Sequence, residues 1–304
     1  MALTPLLVNL GTPSAPTPEA VRAYLAEFLS DPRVVPLPRL LWLPILHGVV
    51  LRKRPQESAE KYRQIWTPEG SPLAVHTARQ ARLLAERMKI PVAYAMRYGE
   101  PTIRATLARL EHPVVVPLYP QYADSTTGSV LDLLPPGLKA VREFHDHPAY
   151  IAALAANVRR HWTRHGRAPL TLMSFHGLPK RGAGSYEQHC HRTAKLLAQA
   201  LALQDGQWRV TFQSRFGYAK WLEPYTEQTL VNLALGGDER VDVVCPGFVA
   251  DCLETLEELG IRAREKFLAA GGRELQLIEC LNEAPEWIAA LAALVTELSA
   301  RAAP

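Results

Sequence analysis

The stretch LTLMSFHGLP, residues 170–179, runs from five residues that read as a buried strand, Leu170 to Ser174, through Phe175 into a histidine, a glycine and a proline. A short apolar run closed by turn residues is the pattern of a strand buried on both faces, the kind that parallel sheets use. His176 stands where that strand has just ended, and Gly177 with Pro179 turns the backbone so that the imidazole projects past the sheet edge. A histidine so placed is either a satisfied structural residue or a group set out for chemistry. Ligands of open α/β sheets sit beyond the carboxyl ends of strands, which favours the second reading.

Outward from this stretch, short β-branched or leucine-rich runs alternate with longer stretches of helical period. The pattern predicts strands at Leu6–Leu10, Val92–Met96, Val114–Leu118, Ala140–Phe144, Leu170–Ser174, Val210–Gln213, Val241–Val244 and Leu275–Ile278. Helices are predicted near 17–29, 72–88, 101–110, 127–134, 149–164, 186–203, 224–235, 252–269 and 285–301. Strand followed by helix, repeated, is the signature of an α/β fold whose parallel sheets are covered on both faces. At 304 residues the chain is long enough for two such Rossmann-like domains, and HDHP at 145–148 reads as the seam between them. The expected domains are 1–145 together with a returning helix, 285–304, and 146–284.

Four loops follow strand ends: NLGTP at 9–13, LYPQYADSTTGS at 118–129, SFHGLP at 174–179 and CPGFVADCLE at 245–254. They are expected to face one cleft between the domains. Hydrophobic content of 48%, charged content of 21% and a net charge of +4 describe a globular protein with scattered basic residues, so nucleic acid is not an expected partner. Cys190, Cys245, Cys252 and Cys280 form no CxxC pair and no zinc-finger spacing, which argues against a structural metal or an iron–sulfur cluster. Free thiols in a reducing cytoplasm fit this usage. No basic stretch leads into an apolar one at the N-terminus, so the mature chain is expected to begin at Met1.

The second chemical constellation is CPGFVADCLETLEEL, 245–259. Acids in a first helical turn serve as caps and complement the helix dipole, which is the structural reading of Asp251 and Glu254. Glu254 and Glu258 are also four residues apart, hence on one helical face, and their helix begins at the sheet edge where His176 emerges. A histidine facing a row of carboxylates suits a divalent cation or the movement of protons.

These residues belong to a longer series. NLGTP with FLSDPRVV at 28–35, YPQY at 119–122 with STTGS at 125–129, SFHGLP, FQSRFG at 212–217 with WLEPYT at 221–226, and CPGFVADCLETLEE at 245–258 follow in an order and at separations that resemble the ferrochelatases. That family inserts ferrous iron into protoporphyrin IX, with loss of two protons, in the terminal step of haem biosynthesis. The resemblance runs from Leu6 to about residue 290 and is to the bacterial form without a C-terminal cluster-binding extension. It implies a chelatase-like pair of α/β domains with a porphyrin cleft between them. It implies no cofactor, with Fe2+ as substrate and no iron–sulfur cluster.

By this resemblance His176 and Glu254 are the inner metal and proton site, either one serving the iron or the pyrrole protons, and Glu258 extends a carboxylate path for the metal. Where other members continue the acidic row by another turn, this chain has Arg262. Arg97 and Tyr98 match a pair close to the macrocycle, with Tyr98 available to stack and Arg97 to hydrogen-bond. Ser71, Arg54 and Tyr62 match positions at the porphyrin edge and its propionates, and Tyr119 and Gln121 are placed to line the cleft. STTGS reads either as an anion-cradling helix start or as a simple cap, the cap being favoured.

The most apolar segment, VVPLPRLLWLPILHGVVLRKRP at 34–55, is too broken by prolines and Arg39 to span a membrane. On composition it reads as a buried helix pair. The resemblance implies instead a lip with Trp42 and leucines against lipid or porphyrin and Arg52 to Arg54 against anionic headgroups, hence a cytoplasmic protein in reversible peripheral contact with a membrane surface. Two further tracts imitate metal sites. In HCH at 189–191 the histidines of a helix point about 200° apart, and HDH at 145–147 falls in the domain seam, so capping or solvated roles are expected for both. The alternative functions are a coproporphyrin III ferrochelatase, another tetrapyrrole chelatase acting on sirohydrochlorin, and a non-catalytic haem or iron carrier.

Overall fold

The structure, a computed structural model, describes residues 3–215 and 219–300. Phe216 and Gly217 of the FQSRFG motif, Met1, and Arg301 to Pro304 of the predicted last helix therefore lie outside the described residues. Seven strands are found among the described residues, in two all-parallel sheets. The chain divides into two compact units, one of Met1–Tyr119, Ala123–Glu143 and Leu291–Pro304, the other of Pro120–Tyr122 and Phe144–Ala290.

The first unit is built on β1 (Thr4–Gly11), β2 (Ala93–Tyr98) and β3 (Pro113–Pro117) in the order β2-β1-β3. Leu6, Leu7 and Val8 of the central strand are fully buried, as a strand covered on both faces requires. Leu6, Val8, Ala95, Ile103, Val115 and Val130 form a continuous core around it. Gly11, at φ +105°, lies opposite Tyr98, and a Cβ there would come within 1.7 Å of the Tyr98 carbonyl oxygen. Only glycine lets β1 leave the sheet beside the Arg97–Tyr98 pair.

The second unit carries β4 (Leu170–His176), β5 (Trp208–Gln213), β6 (Arg240–Val244) and β7 (Glu274–Leu277) in the order β5-β4-β6-β7. Its core gathers Leu172, Val241, Val243, Leu259, Phe267 and Leu275. Phe144, Tyr150 and Trp287 pack together with ring centroids 5.3 to 6.1 Å apart. All four cysteines are free and buried, and burial pushes each thiol up, so they act as small apolar fillers.

Three sequence expectations need correction. Ala140–Phe144 is not a strand: it makes one bridge, Ala140 to Val115, before exposed Arg142 and Glu143 leave the sheet and Phe144 turns into the second unit's aromatic core. The predicted helix 252–269 is an α-turn (Leu253–Leu256), a π-helical stretch (Glu258–Ala263) and a further α-helix (Arg264–Ala269). The segment 34–55 is helical from Arg39 on and only partly buried, with Leu46 and Leu51 inside and Leu40 and Leu41 90% and 67% exposed.

Candidate active site

His176 is the last residue of β4 and pairs with Gln213, the last residue of β5. The strand end is held from two sides: Gly177 N–H donates to the Gln213 carbonyl at 2.7 Å, and the Tyr186 hydroxyl donates to the His176 carbonyl at 2.9 Å. A Cβ at residue 177 would sit 2.7 Å from the Gln213 carbonyl oxygen, so the chain passes there only as glycine. His176 Nδ1 lies 2.7 Å from the Gly177 carbonyl oxygen. A carbonyl only accepts, so in the neutral ring Nδ1 carries the proton and Nε2 keeps the lone pair. The half-buried imidazole therefore offers a base or metal ligand at a defined atom, with the Phe248 ring 6.5 Å away.

Gln213 ties this strand end to the acidic helix. Its Nε2 donates to the Glu254 carbonyl at 2.6 Å, and its Oε1 accepts from Ser174 Oγ at 2.7 Å. Behind it Ser174, Thr226 and Thr211 form a buried hydroxyl chain. The next residue, Ser214, grips Glu258 at both oxygens, backbone N–H to Oε1 at 2.8 Å and hydroxyl to Oε2 at 2.5 Å. Burial raises the Glu258 carboxyl above its ordinary 4.5, opposed by Ser214, His176 and Arg262 and reinforced by the Glu254 charge. His176, Glu254 and Glu258 thus lie in one unit on adjoining elements, the strand paired with that of His176 holding Glu254 through Gln213 and Glu258 through Ser214, but their ligand atoms do not all converge within 4.8 Å.

Arg262 ends the acidic row in a defined way. Its guanidinium lies 3.3 Å from Glu227, 3.4 Å from Glu257 and 3.7 Å from Glu258. The π-stretch starts at these residues, with Arg262 N–H bonding the Glu257 carbonyl five residues back at 2.9 Å. Asp251 is structural: its carboxylate accepts from Thr255 Oγ1 at 2.9 Å, from Cys280 N–H at 3.2 Å and from Asn282 Nδ2 at 2.6 Å. The helical cap itself is Cys252, paired with Thr255, while half-buried Glu254 stands in the first turn.

In the first unit, Arg97 donates to Ser129 and to Asp31, the Tyr98 hydroxyl donates to Asp31 at 2.8 Å, and Ser129 Oγ donates to Asp31 at 2.7 Å. Burial alone would push the Asp31 carboxyl up; the bonds from Ser129, the Arg33 amide and Tyr98, with the Arg97 charge, bring it below 3.8 instead. Tyr98 is fully buried, edge-on to Phe28 at 5.0 Å, so it has no open face for stacking on a ligand. Arg97 keeps 13% of its side chain exposed. The Tyr119 hydroxyl is buried without a hydrogen-bond partner among the described residues, and burial pushes it well above 10, with Tyr98 adding to the rise. Buried Ser71 accepts from Thr12 Oγ1 at 2.8 Å, where NLGTP meets the helix Pro72–Met88. Arg54, half-buried, and Tyr62, buried edge-on to Trp66, lie on the helix Leu51–Ile65.

Other expected site features fall differently. Gln121 is buried in the second unit, its amide donating to Thr193 at 3.0 Å, rather than open to a ligand. STTGS forms a π-turn, Asp124–Gly128, followed by Ser129, whose hydroxyl is turned to Asp31 instead of capping. His147 caps the helix Pro148–His165, while His145 and His189 stack with centroids 3.8 Å apart. Leu37, Leu40, Leu41, Ile45 and Val49 expose an apolar face on the segment read as a lip, and Trp42 anchors it through Nε1 to the Leu29 carbonyl at 2.7 Å. No described helix is long and apolar enough to cross a membrane.

Residue-level reading missed Asp31, Gln213, Ser214 and Tyr186. Asp31 lies inside FLSDPRVV, and Gln213 and Ser214 lie inside FQSRFG, so the motifs marked the segments without marking these contacts. The ferrochelatase family model matches residues 4–299. A curated ferrochelatase of Azoarcus sp. (strain BH72) is 57% identical over 94% of this chain and 85% of its own length. Among solved structures, SirB from Bacillus subtilis with Fe3+ superimposes with a TM-score of 0.58 at 13% identity, covering 99% of this chain and 97% of that one. CbiX, the terminal enzyme for biosynthesis of sirohaem in denitrifying bacteria, gives a TM-score of 0.53 at 16% identity over 97% and 98%. At such identities the two structures speak for the α/β fold alone. The family model across nearly the whole chain and the close relative carry the rest: this chain is a member of the ferrochelatase family.

Proposed function

We propose that this chain inserts ferrous iron into protoporphyrin IX with release of two protons, the closing step of haem synthesis. The observation that carries the reading is His176, whose Nδ1 is committed to Gly177 so that Nε2 is left as the reactive atom, with the adjoining strand end holding Glu254 through Gln213 and Glu258 through Ser214. A free-base ring holds two inner hydrogens and screens its lone pairs by planarity. Binding energy spent on bending it out of plane exposes the nitrogens on one face. His176 Nε2 then takes a pyrrole proton or holds the iron. Glu258, with its carboxyl raised by burial, is a better proton acceptor than an exposed carboxylate. Ferrous iron accepts imidazole and carboxylate alike, and both leave it weakly enough to be surrendered to the ring.

On the first unit, Arg97 is the porphyrin-facing partner, held by Asp31 and Ser129, with Ser71, Arg54, Tyr62 and Tyr119 toward the ring edge. The exposed apolar helix near Leu40 and Leu41, followed along the chain by exposed Arg52 and Lys53, supports peripheral membrane contact through which a greasy porphyrin arrives. It also favours protoporphyrin over coproporphyrin, whose two additional carboxylates suit an apolar entrance poorly. Anaerobic mixing with Fe2+ and either porphyrin is the test. The haem spectrum should appear with a higher kcat/KM for protoporphyrin; no turnover with either would defeat the reading.

A further inference from the structure

Ser214 sits directly after β5 with φ +65°, the left-handed region that favours glycine or asparagine. A glycine would be the cheap residue there. What serine adds is the hydroxyl, and that hydroxyl is spent on Glu258 Oε2 at 2.5 Å while the amide of the same residue holds Oε1 at 2.8 Å. An ionised carboxylate has roughly four lone-pair sites. On Glu258, Oε1 serves the Ser214 amide and faces the Arg262 guanidinium at 3.7 Å, and Oε2 serves the hydroxyl. Among the described residues Ser214 therefore takes one lone pair on each Glu258 oxygen, which fixes the plane of the carboxylate and draws charge from the oxygen that would meet a metal ion.

We propose that Ser214 is a positioning residue that holds Glu258 as a fixed, weakened outer ligand, so that ferrous iron is passed on toward His176 and Glu254 instead of being trapped. The inference rests on the reading of those two residues as the metal and proton site. A carboxylate whose Oε2 is relieved of the hydroxyl donor is more mobile and a stronger ligand, and it binds Fe2+ more tightly and releases it more slowly. A carboxylate pinned by its neighbour exchanges it readily.

The decisive variant is Ser214→Gly in the full chain, which keeps the amide and relaxes the backbone while deleting only the hydroxyl. The KM for Fe2+ and kcat should both fall about tenfold, the size of one hydrogen bond to a charged group, with the KM for protoporphyrin unchanged. Ser214→Ala should show the same split with a melting temperature below that of Ser214→Gly, since a Cβ is disfavoured in the left-handed region and glycine has none. In a Glu258→Gln background, Ser214→Gly should have no further effect. Wild-type kinetics in Ser214→Gly, a raised KM for Fe2+, an equal change in the porphyrin KM, or the same effect without Glu258 would each overturn the proposal. His176→Ala separates the two levels: if it turns over normally the functional reading fails, whereas an inactive His176→Ala beside a wild-type Ser214→Gly removes only the role of Ser214.

Discussion

His176 Nδ1 and the carbonyl oxygen of Gly177 lie 2.7 Å apart, so the ring is pinned by the residue that follows it. The tautomer is thereby set locally, and every use of this histidine runs through Nε2. His176→Ala should lower metal insertion by more than about a hundredfold, the lower end of what a positioned proton acceptor contributes. Glu254→Gln should behave alike. Porphyrin binding, followed by fluorescence quenching, should remain measurable in both, and wild-type turnover in either would remove that residue from the chemistry.

Gln213 is the joint between the histidine strand and the acidic helix, accepting from Ser174 and donating to Glu254. Gln213→Leu keeps the volume but strands both partners. A loss of about 1–3 kcal/mol is expected for leaving such groups unsatisfied, read from the denaturant midpoint, together with a larger loss of turnover than of stability. Unchanged activity would show that Glu254 is held without it.

Asp31 has its carboxyl depressed below 3.8 in the folded chain. A depressed acid contributes stability that is present above its unfolded value and is lost as pH falls through the folded one. The wild-type melting temperature should therefore decline below about pH 4, as Asp31 takes up a proton and releases Arg97, Tyr98 and Ser129. Asp31→Asn should be less stable at neutral pH and flatter across the acid range. Parallel curves for the two proteins would show that the network contributes nothing to folding.

Leu40 and Leu41 stand 90% and 67% exposed on the helix Arg39–Ile45. Replacing both by glutamate should leave stability within about 0.5 kcal/mol, as for surface sites generally. Co-sedimentation with anionic vesicles should fall sharply, and turnover of vesicle-borne protoporphyrin with it. Undiminished vesicle binding would end the assignment of this face to a membrane.

Much of this could be read in advance because it depends on local pattern. Apolar runs closed by Gly and Pro located β1, β4 and β6, and the turn at Gly177 placed His176 at a strand end, where the structure has it. Ala140–Phe144 misled for a definable reason: its β-like composition serves one bridge and then delivers Phe144 to an aromatic cluster contributed by distant residues. The 34–55 segment misled in part, since apolarity by itself does not tell Leu46 and Leu51, which are buried, from Leu40 and Leu41, which are exposed.

What the sequence determined alone is the succession of strands and helices, the strand-end histidine and the spacing of Glu254 and Glu258, all of which follow from periodicity and backbone preference within a few residues. Tertiary structure decided which partner each of these groups has. Ser214 on Glu258, Gln213 on Glu254, Tyr186 on His176 and Asp31 on Arg97 join residues 10 to 66 positions apart. Contacts of that kind leave no period in the sequence, because they are set by the register of parallel strands and by the one extra residue that opens the acidic helix into a π-turn.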